Sequence, residues 1–267
     1  MLKKILSDWK KYSQENNILI YQMGKVGSTS LEESIPQSIH LHRLYNINHN
    51  HLFYSPRGRS FIYGLLGNLF DAMRRIAIRR RKKIKIITLM RDVYARNTSA
   101  FFQNFAFWVM DYSGKVVAES RKENPDFIYE VFENDFDHDY PLTWFDKELT
   151  KFTGVNILAH PFDKENGYTR IQQGKYDILV LKLENIDKAK NAIEEFAGIK
   201  LVLQNSNISE HKWYGPVYKN FKQNYIPTEA YLDKLYGAEI SQHFYTGEEL
   251  EQFKSKALRK LPFVKNS

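Results

Sequence analysis

The stretch Ile18-Leu-Ile-Tyr-Gln-Met-Gly-Lys-Val-Gly-Ser-Thr-Ser-Leu31 decides how this chain is read. Its first half belongs to a short apolar run, Asn17 to Met23, that suits a strand. Its second half is loop chemistry, and from Ser30 the pattern is helical until Pro36. That order puts the loop between the carboxyl end of a strand and the amino end of a helix. Gly24 and Gly27 let backbone amides approach a ligand closely. The helix start presents unpaired N–H groups and the positive end of its dipole, and Ser28, Thr29 and Ser30 add hydroxyl donors. Together these are the parts of a phosphate or sulfate cradle. Alone they also suit a plain βα turn with a helix cap, so a second signal is needed. The order is not that of a nucleotide-hydrolysing P-loop: Lys25 precedes Gly27, Val26 follows the lysine, and Ile20 stands where a glycine is required.

The strand–loop–helix pattern recurs. Ile84 to Met90 is β-rich and stops at Arg91-Asp92, after which Tyr94 to Met110 has helix length and a dense aromatic face. Ser38 to Leu44, Val155 to Ala159 and Tyr176 to Leu183 are further runs of strand length, the last followed by a helical stretch from Asp187 to Ala197. Strands alternating with helices predict an α/β fold: a central parallel sheet of about five strands flanked by helices. Leu2, Ile5, Leu6, Trp9 and Tyr12 predict an amphipathic helix over residues 1–16, and short helices fit residues 111–151. A helical or irregular tail, 209–267, is expected to pack on the same unit. With no linker, repeat or low-complexity segment in sight, residues 1–267 read as a single domain.

Composition narrows the chemistry. The 267 residues are 43% hydrophobic and 15% aromatic, enough to bury a core and far from a disordered composition. No cysteine occurs, which excludes disulfides, thiolate metal sites and cysteine nucleophiles. Lysine and arginine total 39 against 31 acids, a net charge of +8 that suits anionic partners. Asp8, Lys10 and Lys11 interrupt the start where a signal peptide would be apolar, and no run reaches the length of a membrane span, so a cytoplasmic location, with the inner membrane face as an option, is expected. Residues 74–83 carry Arg74, Arg75, Arg79, Arg80, Arg81, Lys82 and Lys83. The run reads as a solvated face leading into the next strand, with docking on a membrane or polyanion as the alternative.

Two motifs together carry a family resemblance. The order Lys25-Val-Gly27-Ser28-Thr29 after an amino-terminal strand resembles the 5′-phosphosulfate loop of sulfotransferases that use 3′-phosphoadenosine 5′-phosphosulfate (PAPS). Arg91-Asp-Val-Tyr-Ala-Arg96-Asn-Thr-Ser99-Ala-Phe101 is similar to that family's 3′-phosphate segment, with Val93 where proline is common. Asp177 to Ile186 is similar to the family's strand ending in Glu-Asp-Leu, with Asn185 in place of the aspartate. Glu210-His-Lys-Trp-Tyr-Gly215 looks like the Asn-Lys-Trp-Tyr-Ser signature of the bacterial sulfotransferase-like proteins described as putative capsular polysaccharide synthesis proteins, with His211 and Gly215 replacing its first and last residues. The resemblance implies a P-loop-NTPase-like sulfotransferase fold and transfer of a sulfuryl group from PAPS to a hydroxyl of a cell-surface glycan, with PAP as product and no metal. Carried over by position, it implies donor binding by Lys25, Val26, Gly27, Ser28, Thr29 and Ser30, and 3′-phosphate binding by Arg91 and Ser99, with Arg96 structural.

Lys25 is the natural catalytic cation, able to neutralise charge growing on the departing phosphate. For the general base His42 is preferred, at the expected carboxyl end of the second strand, with His40, His49, His51, Glu32 and Glu33 as competitors. The aromatics Phe101, Phe102, Phe105, Phe107 and Trp108 read as core, with stacking on sugar faces as the alternative. A saccharide acceptor follows chiefly from the resemblance, and no specific nucleic acid is expected as partner. Two other classes stay open: a nucleotide-dependent kinase with a degenerate phosphate loop, and a non-catalytic polyanion- or RNA-binding protein.

Overall fold

The computed structural model describes residues 2–27, 29–36, 38–45, 61–108, 124–201 and 212–258. Five strands form one sheet: β1 (Ile18–Tyr21), β2 (Ser38–Leu41), β3 (Ile84–Met90), β4 (Tyr168–Gln173) and β5 (Tyr176–Lys182), in spatial order β2-β1-β3-β5-β4. β1 pairs in parallel with both β2 and β3, and β3 in parallel with β5. Helices flank the sheet, which is why all of β1 and nearly all of β3 is buried and neither strand shows the alternation of a half-exposed one.

Three expectations need correction. The sheet is not all parallel, because β4 runs antiparallel to β5. The two are joined by a two-residue turn whose first residue, Gly174, takes φ +58, so the chain doubles back where a crossover was expected. Val155 to Ala159 is no strand: Gly154 ends the preceding helix at φ +76, and the Asn156 side chain accepts from the Leu158 N–H at 3.0 Å, closing a 3₁₀ turn over Ile157–Ala159. The helix expected over Tyr94 to Met110 is two, α4 (Val93–Gln103) and α5 (Phe105–Trp108); Asn104 between them turns its side-chain amide back on the Ala100 carbonyl at 3.3 Å, and residues 109 and 110 lie outside the described ones.

The opening helix, α1 (Leu2–Ser13), lies along α3 (Phe61–Arg79), while α2 (Thr29–Ser34) follows the first loop. Arginines of the basic run tie this layer together. Arg81, 2% exposed, donates to the carbonyls of Tyr12 and Asn17, both at 2.7 Å. Arg75 donates to the Leu44 carbonyl, Arg79 to the Phe152 carbonyl at 3.1 Å, and Arg74 pairs with Asp71. Much of the run therefore serves the fold. Among the described residues no helix is long and apolar enough to cross a membrane.

The remaining helices are α6 (Pro125–Asn134), α7 (Tyr140–Trp144, continuing as a π-helical turn Phe145–Thr150 and a last α-helical turn Lys151–Thr153), α8 (Lys190–Ala197), α9 (Gly215–Asn224), α10 (Glu229–Gly237), α11 (Glu239–Phe244) and α12 (Gly247–Leu258). Phe101, Phe102, Phe105 and Trp108 are buried in an aromatic cluster with Phe132 of α6 and Phe221 of α9. They are core and offer no wall for a sugar; the Phe107 side chain lies outside the described residues.

Candidate anion-binding site

Because β1 and β3 are neighbours and parallel, the loops that follow them emerge side by side at the same end of the sheet. The two loops touch. Arg91, the first residue after β3, donates to the Lys25 carbonyl at 3.0 Å, and Arg96, one turn into α4, donates from Nε to the Gly24 carbonyl at 3.0 Å. Arg96 is buried, lies over the Tyr140 ring and bonds Asn97, a structural brace between the loops.

Lys25 takes φ +73, a left-handed conformation that costs a lysine energy and that no other non-glycine residue adopts among the described ones. Gly27 follows at φ +78. That backbone favours glycine, and a Cβ there would also stand 2.6 Å from Cδ1 of Leu183, which would have to shift. Burial, then the charges of Lys212, Arg91 and Arg96, lower the Lys25 pKa to about 8. Four cations thus converge on this loop, and among the described residues no carboxylate stands within ion-pair distance of Lys25, Arg91 or Lys212. Concentrated positive charge of this kind is what an anionic ligand requires. Lys212 was assigned no role by sequence reasoning, although it is the lysine of the Lys-Trp-Tyr stretch; its proximity to Lys25 is a product of tertiary packing.

Beyond Arg91 the row of loops opens into a cavity of about 470 Å³, bounded by Arg91, Tyr94, Thr98, Leu183, Tyr218 and Phe253 among others. Two acids, Asp92 and Glu184, also line it at the ends of β3 and β5. Glu184 accepts the Asp92 N–H at 2.8 Å and the Tyr245 hydroxyl at 3.0 Å; Asp92 caps α4 by accepting the Tyr94 N–H and takes the Tyr236 hydroxyl at 3.0 Å. Burial and the neighbouring Glu184 push the Asp92 carboxyl up to about 6. Ser99 sits in α4, 7% exposed, and does not line this cavity. Its neighbour Thr98 does, but that hydroxyl bonds back to the Tyr94 carbonyl.

On the other side of Lys25, at the end of β2, stands His42. The ideal Cβ position of Gly24 is 3.8 Å from its Cε1, so the ring borders the loop. Its Nδ1 lies 3.2 Å from the Gln22 carbonyl, and donation there leaves Nε2 as the acceptor of a neutral ring. Burial is the main cause of a lowered His42 pKa, although the residue keeps an open surface, so the ring is neutral near pH 7. The Trp144 indole N–H holds the His42 carbonyl at 3.0 Å, and buried Glu148 accepts the Leu44 N–H at 2.7 Å, so α7 and its π-helical turn pin this segment. His40 packs edge-on against His42 at 4.2 Å between ring centres and meets Glu32 at 3.1 Å; its pKa falls to about 4 through burial and the nearby His42. Glu33 is exposed on α2.

Of the expected donor-binding residues, Lys25, Val26 and Gly27 form this loop, with Val26 buried. Ser28, His49, His51 and His211 lie outside the described residues, as do the side chains of Thr29 and Ser30. No curated protein and no solved structure matches the chain. Residues 122–246, which carry Glu184, Lys212 and Tyr236 and stop short of Lys25 and Arg91, match the family described as putative capsular polysaccharide synthesis proteins, named for the Asn-Lys-Trp-Tyr-Ser signature.

Proposed function

We propose that this protein is a sulfotransferase that moves a sulfuryl group from PAPS to a hydroxyl of a saccharide, within a P-loop-like sulfotransferase fold. The observation that carries the reading is the contact between the Lys25 loop and Arg91 at the ends of adjacent parallel strands, where among the described residues no carboxylate stands within ion-pair distance of Lys25, Arg91 or Lys212. Strand order β2-β1-β3-β5 then gives the site a direction. The sulfated phosphate faces Lys25 and the loop amides, the 3′-phosphate faces Arg91, and the nucleoside extends into the aromatic cavity. The acceptor approaches from the His42 side.

Bound PAPS supplies an activated sulfuryl group whose bond to the phosphate oxygen breaks as the acceptor oxygen bonds to sulfur. Lys25, still largely protonated at pH 7, neutralises charge gathering on the departing phosphate, and Lys212 adds to the same field. Loop amides at the start of α2 hold the equatorial oxygens. His42 accepts the acceptor's hydroxyl proton at Nε2 while its Nδ1–H stays on the Gln22 carbonyl, which fixes the tautomer. Arg96 keeps the loops in register and touches no reacting atom in this arrangement.

The test is transfer of ³⁵S from labelled PAPS to capsular glycan extracts. Wild-type protein is expected to label a saccharide fraction, with Lys25→Ala losing turnover while keeping its fold. Label transfer from γ-³²P ATP with Mg²⁺, and none from PAPS, would replace this reading with a kinase.

A further inference from the structure

We propose that the outer face of α3, with the basic turn that follows it, is a docking surface for an anionic lipid bilayer. The observation is a helix that is apolar on two opposite sides. Ala77 and Ile78 face the core, yet Leu69 is 65% and Ile76 54% exposed. At 100° per residue, Leu69, Met73, Ile76 and Arg80 fall within about 60° of one another, on the side opposite Ile78 and the buried Asp71. They form a stripe about 16 Å long, by the helical rise.

The charges around the stripe name the occupant. Arg80, Lys82 and Lys83 are exposed at its end, and Arg80 lies over the Trp9 ring of the neighbouring α1, whose Lys10 and Lys11 are exposed too. Glu15, an acid beside them, is occupied in accepting the backbone N–H groups of Lys82 and Lys83. Arg74, Arg75 and Arg81 are taken up by the fold, so the surface is narrower than the whole run 74–83. Exposed aliphatics rimmed by lysine and arginine match a bilayer: apolar side chains enter the acyl boundary while cations meet the phosphates. A soluble polyanion would use the cations and leave Leu69 and Ile76 in water. A second copy of the chain would set these cations against themselves. The basic turn of this surface lies at the amino end of β3, opposite the end that carries the Lys25 and Arg91 loops.

The experiment is co-sedimentation of the full chain with phosphatidylcholine vesicles and with vesicles in which about a third of the lipid is phosphatidylglycerol. Binding to the anionic vesicles, weakened by salt, is expected, with little on phosphatidylcholine alone. Leu69→Ser with Ile76→Ser should lower vesicle affinity about tenfold or more at unchanged melting temperature, and Lys82→Glu with Lys83→Glu should do likewise. The proposal fails if anionic vesicles are not bound, if the serine pair binds them as wild type does, if RNA or heparin is captured in place of vesicles, or if the stripe is found to close a dimer. None of these readouts depends on sulfotransfer.

Discussion

Cations crowd both ends of the sheet, and buried Arg81 near one end and Lys25 at the other show the two opposite uses the chain makes of them. At the amino end Arg81 is spent on the carbonyls of Tyr12 and Asn17, Lys85 on the Phe196 carbonyl at 2.8 Å, and Arg79 on Phe152. These charges are fasteners for chain that leaves regular structure. At the carboxyl end Arg96 and Lys182 are likewise fastened, to the carbonyls of Gly24 and Lys164. Lys25, Arg91 and Lys212 differ: among the described residues no carboxylate stands within ion-pair distance of them, and the carbonyl that Arg91 takes, that of Lys25, belongs to the loop itself. The lesson is that a cation's residue type does not reveal its task; what reveals it is whether the chain has already supplied the acceptors.

The comparison can be broken by substitution. Arg81→Met strips one buried and one partly buried carbonyl of their donors and should cost about 2–4 kcal/mol of stability in urea unfolding, with adenosine 3′,5′-bisphosphate affinity unchanged in the folded protein. Loss of affinity without loss of stability there would erase the distinction. Arg91→Ala removes a charged donor from the ligand and should weaken adenosine 3′,5′-bisphosphate by about 1.5–3 kcal/mol, roughly 10- to 150-fold, with a smaller change in unfolding. Unchanged affinity by calorimetry would remove Arg91 from the site.

A finer effect concerns protons. Free Lys25 has its pKa lowered to about 8, and a bound phosphate or sulfate restores its charge, so binding just above that pH takes up a proton. Calorimetric enthalpy should then vary with the ionisation enthalpy of the buffer, and affinity should fall as pH rises through about 8. Enthalpies independent of buffer would mean that Lys25 does not face the anion.

Both loops were legible in the sequence because their chemistry is local: Gly24, Lys25 and Gly27 directly follow β1, and Arg91 directly follows β3. The position of His42 was legible for the same reason, from the end of β2. Features made by long-range contacts were not. The charge of Lys212 acts on Lys25 from the far half of the chain, and sequence spacing alone does not announce it. The antiparallel course of β4 was missed because Tyr-Thr-Arg-Ile-Gln-Gln buries Ile171 alone and so gives almost no apolar signal, although Gly174-Lys175 is a hairpin-length turn. Phe101 and Phe102 look the same in sequence whether they face a sugar or Phe132; only packing decides.

The most direct test of the central claim is titration of the purified chain with adenosine 3′,5′-bisphosphate in a calorimeter, with ATP and Mg²⁺ run in parallel. The account predicts binding of the bisphosphate at one site, weakened by Arg91→Ala and by Lys25→Ala, and clearly tighter than ATP. Binding of ATP with Mg²⁺ and none of the bisphosphate would contradict it.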